Sequence, residues 1–106
     1  HLHCSGGDAA SFKHVPVEKI ITFQFSDAPP GPPSAERTPV DRLPPGKGVA
    51  PFVEIFKNLM AMNYQGYMSY EAPNPAQWER SADEVAREGA ERVRALLTQA
   101  EQAAAA

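Results

Sequence analysis

The sequence has a single cysteine, Cys4, among 106 residues. That excludes an internal disulfide and any metal site built from several cysteines. It also lacks a concentrated basic stretch. Lys and Arg number 10 against 13 Asp and Glu, for a net charge of −3, so the cationic footprint of a nucleic-acid module is missing. No apolar run approaches the ~20 residues that a membrane-crossing helix needs, and no secretory pattern opens the sequence. The expectation is a cytoplasmic protein with neither a nucleic-acid nor a membrane partner. The sequence starts His1-Leu2-His3 rather than at a methionine, and it reads as the back end of something longer. Proline is plentiful instead: 11 residues, about twice the usual ~5%.

The apolar periodicity defines an alternation of strands and helices. Ser5-Gly6-Gly7 is a turn signal, and Asp8 is placed to cap a short helical turn over Ala9–Lys13, which Pro16 closes. Ile20–Ser26 is rich in β-branched and aromatic residues and reads as a strand. Its period-2 split puts Ile21, Phe23 and Phe25 on an apolar face, and Ile20, Thr22, Gln24 and Ser26 on a face that grows polar. A long Pro- and Gly-rich loop follows over 27–48. Phe52, Ile55, Phe56, Leu59 and Met60 then form one helical stripe within Pro51–Met62, expected to cover Ile21, Phe23 and Phe25, with Asn63 ending the helix. Gly66–Glu71 is a second strand, with Tyr67, Ser69 and Glu71 facing one way and Met68 and Tyr70 the other. Ser81 and Glu84 spell a capping box, and Ala82, Val85, Ala86, Val93, Leu96, Leu97 and Ala100 mark the buried face of a long last helix. The domain is expected over 1–100, with a frayed tail over 101–106. Strand, helix, strand, helix implies an α/β fold with a parallel sheet.

In such folds the site lies where loops leave the strands. Gln24 and Glu71 fall at the C-terminal ends of the two strands, each on its polar face, and adjacent strands lie ~4.8 Å apart. Their oxygens are therefore expected to converge on one ion; the bland alternative is a pair of strand-end capping residues. Other candidates have bland readings. His3 beside His1 is read as a non-ligand, His14 as a surface residue, and Cys4 as a small packing residue. Trp78 either walls a pocket or covers the last helix, and Asp27 is placed to orient Gln24. Pro29 and Pro32 satisfy a PxxP pattern, so a non-catalytic interaction module using the proline-rich loop is the alternative of another class.

Four segments in this order resemble the C-terminal part of a xylose isomerase-like TIM barrel: His1-Leu2-His3 with Ser5-Gly6, Ile20–Ala28, Arg42-Leu43-Pro44-Pro45-Gly46-Lys47-Gly48, and Asn63–Glu71. This superfamily of sugar phosphate isomerases and epimerases also holds inosose dehydratases and 3-dehydroshikimate dehydratases. The resemblance implies a (β/α)₈ barrel of which the chain carries about strands 6–8, with the end of strand 6 at His1–His3. A barrel of ~250 residues contains roughly 31 per unit, which agrees with that share.

The resemblance also implies site residues. His1 matches a histidine that contacts substrate or moves a proton, Gln24 and Glu71 match metal ligands, and Arg42 matches an arginine that reaches substrate oxygens. The family's ligand aspartate, three residues before His1, and a glutamate on an earlier strand lie outside the sequence. The implied enzyme is a divalent-metal-dependent isomerase or epimerase that removes a proton next to a carbonyl or hydroxyl-bearing carbon of a sugar or polyol-like substrate. Glu71 would be both ligand and base, and Mg²⁺, Mn²⁺ or Co²⁺ suits the hard oxygen donors. Glutamine at position 24, where many members carry histidine, makes a 3-dehydroshikimate dehydratase-like lyase the alternative. The resemblance leaves homo-oligomerisation of the full-length protein open.

Overall fold

Two short parallel strands form the frame. β1 (Thr22–Phe25) and β2 (Tyr67–Tyr70) pair with Thr22 opposite Tyr67, Gln24 opposite Ser69 and Phe25 opposite Tyr70. The computed structural model describes residues 1–106, the side chain of Ser34 excepted. Between the strands run the long loop and α1 (Phe52–Ala61); after β2 come a one-turn helix, α2 (Pro75–Trp78), and the long α3 (Ala82–Ala105). The crossover through α1 is what permits a parallel pairing, since parallel strands cannot be joined by a hairpin.

The strand faces separate as the period-2 pattern requires. Phe23 and Phe25 point toward α1, where Phe23 meets Phe56 edge-on and Phe25 meets both Phe52 and Phe56. Phe25, Phe52, Ile55, Phe56, Leu59 and Ala100 form the buried core, with Met68, Tyr70, Val93, Leu96 and Leu97 packed against it. Ile21 was expected under the α1 stripe, yet it is 80% exposed. It precedes the first paired residue of β1. Thr22, Gln24, Tyr67 and Ser69 make up the opposite face, and Tyr67 is 86% exposed there.

The helix ends follow local chemistry. Asn63 adopts a left-handed φ of 57°, and the Tyr64 N–H reaches back to the Leu59 carbonyl at 3.0 Å. Asparagine tolerates that conformation better than other residues with a side chain. Ser81 Oγ accepts from the Glu84 N–H at 3.2 Å, so the Ser81 half of the capping box forms, while the Glu84 carboxylate turns to Arg80 at 3.9 Å. α2 carries no apolar periodicity; Asn74 caps it by accepting from the Ala76 N–H at 3.0 Å, and Pro75 occupies its first turn. The helical conformation of α3 continues to Ala105, through the segment expected to fray; its alanines keep high helix propensity after the apolar face has ended.

The N-terminal segment differs from expectation. His1–His3 is a turn rather than a strand end, because the Ser5 and Gly7 amides close back on the carbonyls of His1 and Leu2 at 2.9 Å. Asp8 does cap the next stretch by accepting from the Ala10 N–H. That stretch is a run of turns closed by i→i+3 bonds, Ser11 to Asp8 and Lys13 to Ala10, so no α-helix forms over Ala9–Lys13. Among the described residues the sheet has two strands, and none of the helices is long and apolar enough to cross a membrane.

Candidate active site

Gln24 is the third residue of β1, and Glu71 immediately follows β2. The Glu71 N–H extends the parallel ladder by donating to the Phe25 carbonyl at 3.0 Å, which places its side chain beside that of Gln24. Gln24 Nε2 donates to Glu71 Oε2 at 2.6 Å. Both side chains line a cleft of ≈ 200 Å³ together with His1 and Arg42. The four residues singled out by the resemblance, 70 positions apart at the extremes, thus border one space. His3 does not line it, and His14 is exposed.

Arg42 is held in place through its backbone. Its N–H donates to the Pro73 carbonyl at 3.2 Å, and its carbonyl accepts from Asn74 Nδ2 at 3.0 Å. Asn74 therefore caps α2 with one end of its amide and fixes Arg42 with the other. The Arg42 guanidinium pairs with Asp41, which also accepts from Arg37 Nη1 at 3.3 Å. Arg37 in turn donates to the Pro29 carbonyl at 2.7 Å. Neither Asn74, Asp41 nor Arg37 stood out in the sequence, where they are ordinary loop residues; only the spacing of Arg37 and Asp41, four apart, hinted at a pair.

Asp27 does not contact Gln24, and this corrects the sequence reading. Its carboxylate is fully buried. Oδ1 accepts from the N–H groups of Ala28 and Ala50 at 2.9 Å, and Oδ2 from those of Gly46 and Gly48 at 2.8 and 3.0 Å. Asp27 and Leu43 also exchange backbone hydrogen bonds at 2.8 and 3.0 Å. The loop is therefore wrapped around one carboxylate, which sets the position of the neighbouring Arg42. Gly46 has a φ of 84°, and at Gly48 a Cβ would lie 2.2 Å from the Ala28 carbonyl oxygen, so glycine is required at both. An aspartate followed some twenty residues later by a Gly-Lys-Gly turn, whose amides need an acceptor, was the available sequence signal.

The family model described as xylose isomerase-like TIM barrel matches residues 1–96. The chain belongs to the xylose isomerase-like TIM barrel family. Solved structures share the fold, two of them as follows. One is the IolI protein with a bound zinc atom: TM-score 0.80, 21% identity, covering 92% of this chain and 34% of that one. The other is a xylose isomerase domain protein from Alicyclobacillus acidocaldarius: TM-score 0.79, 23% identity, covering 95% of this chain and 36% of that one. The chain thus spans about a third of the length of either. No curated protein sequence matches it. Among the described residues no three His, Cys, Asp or Glu side chains are placed to hold a metal ion together.

In this xylose isomerase-like chain the loop around Asp27 is joined to α3 by Glu88. Arg80 Nη1 and Arg92 Nε donate to Glu88 at 2.5 and 2.9 Å, and Lys47 of the loop lies 3.6 Å away. These bonds, Arg80 first, lower the Glu88 carboxyl from 4.5 to about 2. Its contribution to stability is therefore complete above about pH 4.5 and is lost as the pH falls toward about 2. Glu88→Gln is expected to flatten the acid side of the stability profile over that window, as read by urea denaturation at pH 7 and pH 3. An equal loss of stability on acidification in both proteins would rule the network out as its source. Trp78, 64% exposed, does not line the cleft of Gln24 but borders an adjoining groove with Tyr70 and Val85, which shares Glu71 and Pro73 with that cleft.

Proposed function

We propose that the chain supplies part of the active site of a divalent-metal-dependent isomerase or epimerase acting on a sugar or polyol, and that it forms the C-terminal part of that enzyme's barrel. The observation that carries the reading is the contact between Gln24 and Glu71 at the C-terminal ends of adjacent parallel strands, over a cleft that also receives His1 and Arg42. A carboxylate and an amide are hard oxygen donors, so the pair fits Mg²⁺, Mn²⁺ or Co²⁺. The zinc of the IolI structure supports divalent-metal use in this architecture. An amide suits such a place because its N–H end satisfies the carboxylate when no cation is present, and its oxygen end can serve one that is.

The residues divide the work. Gln24 and Glu71 would hold the cation, which supplies Lewis acidity for negative charge developing on a substrate oxygen. The Glu71 carboxylate would also serve as the base for a proton on the adjacent carbon. Arg42, its fork held by Asp41 and its backbone by Pro73 and Asn74, would orient substrate oxygens. His1, across the cleft, would contact a hydroxyl or carry a proton. A dehydratase of the 3-dehydroshikimate type would use the same groups, and Gln24 is the residue that favours it.

Metal binding tests the reading. In the full-length protein, Gln24→Ala is expected to weaken Mn²⁺ binding about tenfold, because water can replace a neutral ligand. Glu71→Gln is expected to weaken it about a hundredfold or more, because the charged ligand is lost. Titration followed by electron paramagnetic resonance reads both; an unchanged affinity in Glu71→Gln removes the assignment.

A further inference from the structure

The backbone of Arg42 and Leu43 bridges the C-terminal ends of both strands. On the β1 side, Leu43 exchanges backbone hydrogen bonds with Asp27 at 2.8 and 3.0 Å. On the β2 side, the Arg42 N–H donates to the Pro73 carbonyl at 3.2 Å, and the Arg42 carbonyl accepts from Asn74 Nδ2 at 3.0 Å. The short segment Glu71–Asn74 therefore carries the carboxylate of the cleft and both backbone anchors of the arginine that lines it. The start of that segment is fixed as well, by the Glu71 N–H on the Phe25 carbonyl at 3.0 Å. The two partners of the Asn74 amide set its direction. The Ala76 N–H, 3.0 Å from Oδ1, needs an acceptor, and the Arg42 carbonyl needs a donor. Aspartate or serine would cap α2 as well as asparagine does. Neither would hold Arg42, since a carboxylate has no donor and a serine hydroxyl falls one bond short.

We propose that Asn74 is a positioning residue for substrate recognition: through the Arg42 carbonyl it sets the separation between the Arg42 guanidinium and the Glu71 carboxylate. The inference rests on the function proposed above, which gives Arg42 its contact with substrate oxygens; the hold of Asn74 on Arg42 does not. A guanidinium is a rigid fork, so a shift of its backbone carries all its donors with it. Asp41, which pairs with the fork, is the preceding residue of the same loop and would shift along with it. It fixes the fork's orientation but not its separation from Glu71. The bonds to Pro73 and Asn74 fix that separation, and the one from Asn74 is made by a side chain. Misplacement by about 1 Å is enough to cost much of a site's efficiency. Loss of the Asn74 bond leaves the bridge between Asp27 and Leu43 and the four amides on the Asp27 carboxylate in place. The effect therefore falls on the placement of Arg42 rather than on folding.

Asn74→Asp and Asn74→Ser in the full-length protein test this, the second controlling for the charge that the first introduces. Both keep the cap on α2 and lose the donor to Arg42. Mn²⁺ affinity is expected to stay at the wild-type value, because Gln24 and Glu71 are intact. Across a panel of aldopentoses, aldohexoses and ketohexoses, KM is expected to rise about fivefold to tenfold, with kcat held within about twofold. The Arg42→Ala background separates positioning from structure. There the carbonyl of residue 42 and its bond to Asn74 remain while the fork is gone, so Asn74→Ser is expected to raise KM no further. An equal rise in both backgrounds, or a KM that neither variant changes, overturns the proposal. The ¹⁵N relaxation of the Arg42 backbone and Nε resonances reads the hold itself without substrate. Loss of order in Asn74→Ser is expected, and an Arg42 as ordered as in the wild type overturns the proposal too. If the wild type turns over no sugar of the panel, the function proposed above fails, and the relaxation measurement still decides whether Asn74 holds Arg42.

Discussion

Asp27→Asn is expected to destabilise the fold by about 3–5 kcal/mol, a large share of the ~5–15 kcal/mol available to a domain. The carboxylate accepts four backbone N–H bonds in a fully buried position, and among the described residues no Lys or Arg forms an ion pair with it. The four amide dipoles alone carry its charge. Asparagine keeps one acceptor oxygen but turns an NH₂ group toward two of those amides, so donors face donors. Each buried amide left without an acceptor costs ~1–3 kcal/mol. The loss should centre on the loop over 43–50, and limited proteolysis at Lys47 should rise before the helices are lost. Urea denaturation measures the total; a change under about 1 kcal/mol would show that the loop is held by its backbone bridge to Leu43 rather than by the carboxylate.

The second large effect concerns chemistry. In the full-length protein Glu71→Gln is expected to lower metal-dependent turnover by about 10³-fold or more, since the change removes a charged ligand and a base together. Gln24→Ala should be milder: its main contact is the bond to Glu71 at 2.6 Å, and the carboxylate it supports remains. The two variants therefore separate a ligand with a proton-transfer role from a ligand alone. Steady-state rates across a panel of aldoses, ketoses and their acidic derivatives, at saturating Mn²⁺, provide the comparison. Full activity in Glu71→Gln would exclude any part for it in proton transfer.

Both predictions depend on features that differ in how far they can be read from sequence. The strand Ile20–Ser26 and the helix Pro51–Met62 were legible because their apolar residues recur at the periods of two and 3.6 that regular backbone geometry imposes; the observed elements, Thr22–Phe25 and Phe52–Ala61, fall inside those bounds. Asn63 and Ser81 were legible because capping is a property of neighbouring residues. Gln24 and Glu71 could be placed at one end because each lies on the polar face near the C-terminal end of its strand; that the two faces coincide is set by the register that puts Gln24 opposite Ser69. The turn at Ser5-Gly6-Gly7 and the Asp8 cap were legible; the further turns up to residue 15 and the one-turn helix at Pro75–Trp78 were not, because they are closed by short-range hydrogen bonds that leave no periodic trace.

The amino-acid sequence by itself determined the α/β alternation, the parallel pairing it requires and the polar pair at the strand ends, because these follow from periodicity and local backbone preference. The tertiary structure alone decided where Asp27 points, which residues fix Arg42, and that Arg37 and Arg42 share one carboxylate. Those outcomes depend on which distant donors and acceptors the loop brings together. Asp27 stands next to β1 and was read as a partner of Gln24, yet burial removed it from water at a point where the amides of Gly46, Gly48 and Ala50 had no other acceptor. Unsatisfied backbone N–H groups are costly enough to dictate the direction of a buried carboxylate, and that demand arises only once the loop has closed.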